Sequence, residues 1–105
     1  MIRQDPPTVV RGPAVGDMKT IANNDYLTIR PPEGEEWFIE TIVYGGDMIL
    51  SFTDGTITVS RAQTSNAPNS LDKCGYTVTH DWYITIQNKS GGDAEFGYSG
   101  YKILS

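Results

Sequence analysis

Few side chains in this sequence could do covalent chemistry. His80 is the single histidine and Cys74 the single cysteine among 105 residues, and Asp81 follows His80 directly. An acyl-transfer site needs a nucleophile, a base and a group that orients the base. Neighbouring residues of a strand point to opposite faces, so Asp81 could orient His80 only at a strand end. No Gly-x-Ser-x-Gly element supplies a nucleophile on a strained turn. His80 therefore reads as a histidine opening a strand. A zinc site needs three or four ligands, and Cys74 with His80 offers two. Cys74 reads instead as a small buried hydrophobe. Glu33, Glu35 and Glu36 cluster in Pro31-Pro32-Glu33-Gly34-Glu35-Glu36. Calcium takes six to eight oxygens, but no EF-hand spacing follows, and a charged turn is expected to be solvated. Neither glycine-rich phosphate loop occurs. The sequence thus predicts no catalytic residue, no cofactor and no metal ligand.

Composition narrows the partners. Lys and Arg total 8 against 13 Asp and Glu, a net charge of −5. Nucleic acid is not expected as a partner, because phosphate neutralisation needs a basic face. No membrane span is expected either, since no apolar run approaches the ~18 residues that crossing requires. The opening Met1-Ile2-Arg3-Gln4-Asp5-Pro6-Pro7 lacks the apolar stretch of an export signal. One cysteine allows no internal disulfide. A chain of 105 residues supports one modest core.

The remaining pattern is that of strands. Gly (11) and Pro (6) punctuate short apolar runs, and no window has helical periodicity. Met18–Ile21, Tyr26–Ile29, Trp37–Tyr44, Met48–Phe52, Thr56–Ser60, Gly75–Thr79, Trp82–Gln87 and Ala94–Tyr101 read as strands. The glycines of the last suggest a bulge or tight packing. Gly45-Gly46-Asp47 is a turn, and Asp54-Gly55 signals a two-residue hairpin, so the three strands from Trp37 to Ser60 are expected to form a meander. Arg61 to Lys73 reads as a long loop. The expected core is Leu27, Ile29, Ile39, Ile42, Ile49, Ile57, Val59, Val78, Ile84, Ile86 and Phe96. About eight short strands predict an all-β fold, a single antiparallel β-sandwich of jelly-roll type. Asp25-Tyr26-Leu27-Thr28-Ile29 is echoed by Asp81-Trp82-Tyr83-Ile84-Thr85-Ile86, which suits two similarly placed strands of such a fold.

The first fifteen residues differ from the rest. Pro6, Pro7 and Pro13 remove ladder donors, so residues 1–15 are expected to be an extended arm outside the sheets, with the sandwich spanning residues 16–105. Val9, Val10 and Val15 make the arm apolar, and Pro6, Pro7, Val9, Val10, Pro13 and Val15 are the expected partner contact. Of Trp37 and Phe38, one is expected inside and the other outside. Trp37 joins the expected interface.

The run Asn24-Asp25-Tyr26-Leu27-Thr28-Ile29-Arg30-Pro31-Pro32-Glu33-Gly34-Glu35-Glu36-Trp37, the segment Trp82-Tyr83-Ile84-Thr85-Ile86-Gln87-Asn88 and the ending Phe96-Gly97-Tyr98-Ser99-Gly100-Tyr101 give the chain its family likeness. With its proline-rich arm, it resembles the small decoration, or cement, proteins of tailed-phage heads. The resemblance spans residues 20–105 and is one of style, so it transfers no functional residue. It implies a non-enzymatic virion protein on the outer capsid surface, bridging subunits of the major capsid protein and forming a homotrimer. A carbohydrate- or receptor-binding module, such as a fibre tip, is the alternative with the same sandwich.

Overall fold

The computed structural model describes residues 10–64 and 69–104, which hold strands and turns with no helix. Eight strands follow one another: β1 (Val10–Ile21), β2 (Tyr26–Ile29), β3 (Glu36–Tyr44), β4 (Met48–Thr53), β5 (Thr58–Gln63), β6 (Asn69–Thr79), β7 (Tyr83–Asn88) and β8 (Ala94–Leu104). They form two four-stranded sheets, ordered β1-β8-β3-β6 and β2-β7-β4-β5. Every pairing is antiparallel. The first strand pairs with the last, the second with the seventh, the third with the sixth and the fourth with the fifth. This nesting is one long hairpin rolled into two layers, the jelly roll expected from the strand count.

Alternation places the core. Leu27 and Ile29 on β2, Ile39 and Ile42 on β3, Val78 on β6, Ile84 and Ile86 on β7, and Phe96 on β8 are all buried between the layers. Ile21, Tyr44, Met48 and Leu50 join them. Tyr44 and Met48 flank the Gly45-Gly46-Asp47 turn and enter the same core from opposite sheets, so that turn crosses between layers. The expected meander is therefore not formed: β4 pairs with β5 and β7, while β3 pairs with β6 and β8. The echoed segments are immediate neighbours, with Leu27 opposite Ile86 and Ile29 opposite Ile84.

Three expected core residues lie elsewhere. Met48 and Leu50 take the inward positions of β4, which turns Ile49 outward. Ile57 and Val59 are 61% and 58% exposed. Val59 has inward parity, since it is paired with Phe52, but β5 overhangs the opposite layer. The last strand of that layer, β6, lies over β7, and its Tyr76 meets Phe52 of β4. Ile57 is not in β5 at all. It belongs to a four-residue loop, because Thr53 pairs with Thr58, in place of the expected two-residue turn. The Asp54 carboxylate organises this loop by accepting hydrogen bonds from the Thr56 and Ile57 amides at 2.8 and 2.7 Å. The same two amides hold its carboxyl below the usual aspartate range.

The loop expected over Arg61–Lys73 is largely strand: β5 runs to Gln63 and β6 starts at Asn69. Arg61 and Lys73 carry no apolar alternation, and ladder pairing with β4 and β3 supplies what local propensity lacks. Likewise residues 10–15, expected in a free arm, form the first half of β1 along β8. Pro13 is tolerated because β1 is an edge strand and the register shifts between Arg11 and Ala14, where the missing donor costs no ladder bond. The boundary expected at residue 15 thus falls inside a strand. Pro6, Pro7 and Val9 lie outside the described residues. The glycines of β8 do mark close packing. A Cβ at Gly97 would sit 2.7 Å from the Asp17 carbonyl oxygen, and one at Gly100 would run into the Phe38 carbonyl.

Candidate interaction surfaces

The polar groups singled out in the sequence are held by local structure. The His80 ring lies between Pro31 and Arg30, with Nδ1 3.2 Å from the Pro31 carbonyl oxygen and Nε2 3.4 Å from Arg30 Nη2. A carbonyl only accepts and a guanidinium only donates, so the tautomer with Nδ1–H satisfies both contacts. Arg30 Nε also donates to the His80 carbonyl at 2.8 Å. Its guanidinium carbon sits 4.3 Å over the centroid of Tyr83. His80 thus ties the segment after β2 to the turn before β7. Cys74 is placed elsewhere: its Sγ donates to the Ile39 carbonyl at 3.3 Å, and burial pushes its thiol pKa up. Glu35 accepts from Trp37 Nε1 at 3.1 Å and faces Lys102 Nζ at 3.6 Å, which anchors the acidic turn. Among the described residues no group of three or more His, Cys, Asp or Glu gathers as a metal site.

Of the adjacent aromatics, Trp37 turns inward and Phe38 outward. Trp37 packs against the core and stacks on Tyr98 at 6.3 Å. Burial, with Asp17 nearby, raises the Tyr98 phenol. The outward member of the pair is therefore Phe38, which meets Tyr101 at 5.3 Å, while Arg11 lies 4.6 Å over the Tyr101 ring and 3.5 Å from Glu40. The sequence could not choose between the two, because strand parity is set by the partner strands and not by the residues themselves. Val15 likewise packs against the core, whereas Pro13 is exposed.

Two surfaces remain without an internal partner among the described residues. The first is the lateral margin between β5 and β6. There the half-buried Phe52 meets Tyr76 edge-on at 5.0 Å and lies parallel to Trp82 at 6.3 Å. Val59 flanks Phe52 on the next strand, and Ile57 continues the apolar surface into the loop. Edge strands in stable folds are usually blunted by proline, bulges, short length or charge. β1 has Pro13 and a register shift, β2 is four residues long, and β6 has positive φ at Lys73 and Gly75. By contrast β5 pairs in unbroken register and carries one charged residue, Arg61.

The second is the outward face of the sheet β2-β7-β4-β5. Its registered rows are Tyr26, Gln87, Ile49 and Ala62; then Thr28, Thr85, Ser51 and Ser60; then Tyr83, Thr53 and Thr58. None of these side chains is charged. On β4 and β5 the hydroxyls bond one another, Ser51 with Ser60 at 2.8 Å and Thr58 with Thr53 at 3.1 Å. On β2 and β7, Thr28, Thr85, Tyr26 and Tyr83 keep their hydroxyls without a hydrogen-bond partner among the described residues. The sequence reading missed both surfaces. Their signals were present, as an alternating Thr56–Ser60 run and as the twin Thr-Ile steps of Thr28-Ile29 and Thr85-Ile86, but which side of each run is covered depends on the second layer. Compared with known proteins, the chain matches no protein-family model and no curated protein sequence.

Proposed function

We propose that this protein is a structural virion subunit, a decoration or cement protein that binds the outer surface of a phage head and bridges its major capsid subunits. The observation that carries the reading is the apolar β5–β6 margin, where Val59, Ile57 and Trp82 stand exposed around Phe52 and Tyr76 beside an unblunted edge strand. An exposed cluster of aromatic and branched side chains is the anatomy of a docking site, since aromatic anchors dominate interface energy. The jelly roll agrees with this use, being a recurrent architecture of capsid and lectin domains. Net −5 suits an outer surface, away from packaged nucleic acid. Homotrimer formation belongs to the same reading: a small domain with a marginal core gains stability from neighbours.

Co-sedimentation with heads assembled from major capsid protein alone tests the proposal. Wild-type protein should pellet with the heads, and light scattering of the free protein should give three times the chain mass. Val59→Asp and Trp82→Ala should weaken head binding by roughly tenfold or more while melting stays close to wild type. Full binding by both variants, or none by the wild type, would sink the reading.

A further inference from the structure

We infer that the outward face of β2 and β7 is a binding site for a neutral polysaccharide or oligosaccharide chain. The site is a strip of six side chains: Tyr26 and Thr28 on β2 with Arg30 just beyond its end, and Gln87, Thr85 and Tyr83 on the paired β7. Tyr26 stands 54% exposed at one end. Tyr83 lies at the other end beneath the Arg30 guanidinium. At about 3.4 Å per residue, the two aromatic ends lie roughly 14 Å apart along the strands. That is room for several sugar rings.

Charge selects the ligand class. The strip's one formal charge is Arg30, in a chain whose residues are 20% charged. A nucleic acid strand needs a row of cations to replace its counterions, and this surface does not provide one. An apolar peptide or helix needs hydrophobic anchors in a groove, whereas Thr28 and Thr85 form a flat hydroxyl floor. What matches is a ligand that is itself uncharged, rich in hydroxyls and apolar on its ring faces. Tyr26 offers a flat apolar face with a polar tip, and can pack such a ring while its O–H bonds a sugar hydroxyl, whereas a face of Tyr83 is taken by the Arg30 guanidinium and that residue offers its O–H. The hydroxyls of Thr28, Thr85, Tyr26 and Tyr83 have no partner among the described residues, so each can donate or accept. Arg30 spends Nε on the His80 carbonyl and one Nη2 contact on the His80 ring, and so keeps further N–H groups for a ligand oxygen. His80, its own ring held by the Pro31 carbonyl, keeps that guanidinium in place, which lowers the entropy lost on binding.

The inference is independent of the virion reading, because it uses the opposite side of β5's sheet from the apolar margin and needs no particle. Calorimetry on the full chain would use cellohexaose, maltohexaose and mannohexaose as neutral probes, with a polyuronate as the charged control. At least one neutral hexasaccharide should bind saturably with a Kd at or below about 1 mM. Tyr26→Ala should weaken that binding roughly tenfold, and Thr28→Val, which keeps the side-chain shape and removes the hydroxyl, about threefold. Val59→Asp should leave it unchanged. No heat with any neutral probe at about 5 mM, binding of the polyuronate alone, or unchanged affinity in both Tyr26→Ala and Thr28→Val would each overturn the assignment.

Discussion

The two lateral margins of the sandwich are built from similar residues and behave oppositely. At the β1–β2 margin the layers close: Ile21 is 7% and Leu27 2% exposed. Asn88, fully buried, donates from Nδ2 to the Ile21 carbonyl at 2.7 Å and the Gly92 carbonyl at 2.8 Å, while its Oδ1 accepts from Ser90 N at 2.8 Å. One amide thereby stitches the end of β1 to the turn between β7 and β8. At the β5–β6 margin nothing comparable spans the layers among the described residues. Val59 has the same inward parity as Ile21, yet remains largely in water because no strand among the described residues covers β5. Inward parity is thus necessary for burial and not sufficient. The opposite layer must also extend far enough.

That contrast can be broken from its closed side. Asn88→Ala leaves the buried Ile21 carbonyl without its side-chain donor and takes the acceptor from the Ser90 amide, and unfolding free energy should fall by about 3 kcal/mol in a denaturant titration. Ile21→Ala removes packing at the same margin and should cost about 2 kcal/mol. Val59→Ala, the matching truncation on the open side, should stay within ~0.5 kcal/mol. Equal losses for Ile21→Ala and Val59→Ala would show that both margins are closed in solution, through a second copy if not within the chain.

The smallest effect concerns the loop at the open margin. The Asp54 carboxyl titrates below its ordinary value because the Ile57 and Thr56 amides bond its charged form. A lowered folded-state pKa stabilises the fold above the unfolded value and ceases to do so as pH falls through the folded value. Asp54→Ala should therefore melt slightly below wild type at pH 7, and the gap should close as pH drops below about 4. A gap that persists at pH 2 would mean that the side chain acts through packing and not through its charge.

Much of the fold was legible because strand alternation and turn residues are local signals. Leu27 with Ile29 and Ile84 with Ile86 announce their buried faces without any knowledge of partners, and all four are buried as expected. Where alternation was absent, as over Arg61–Gln63 and Asn69–Lys73, strand formation came from the ladder and could not be read locally. Pro13 misled for a related reason: proline forbids a central strand but not a bulged edge, and edge position is a property of the sheet order.

The candidate surfaces were less legible than the core. A run such as Thr-Ile-Thr-Val has two faces, and the sequence says that they differ without saying which is covered, or by what. By itself the sequence determined the strand class, the apolar stripes, the scarcity of groups able to do chemistry and the negative charge, since each depends on residue type or on neighbours a few positions away. Only the tertiary structure decided that β5 overhangs, that Phe38 and not Trp37 faces out, and that Tyr26, Thr28, Thr85 and Tyr83 share one uncharged plane. Those outcomes follow from which strands pair across long stretches of chain, and from how far one layer reaches over the other.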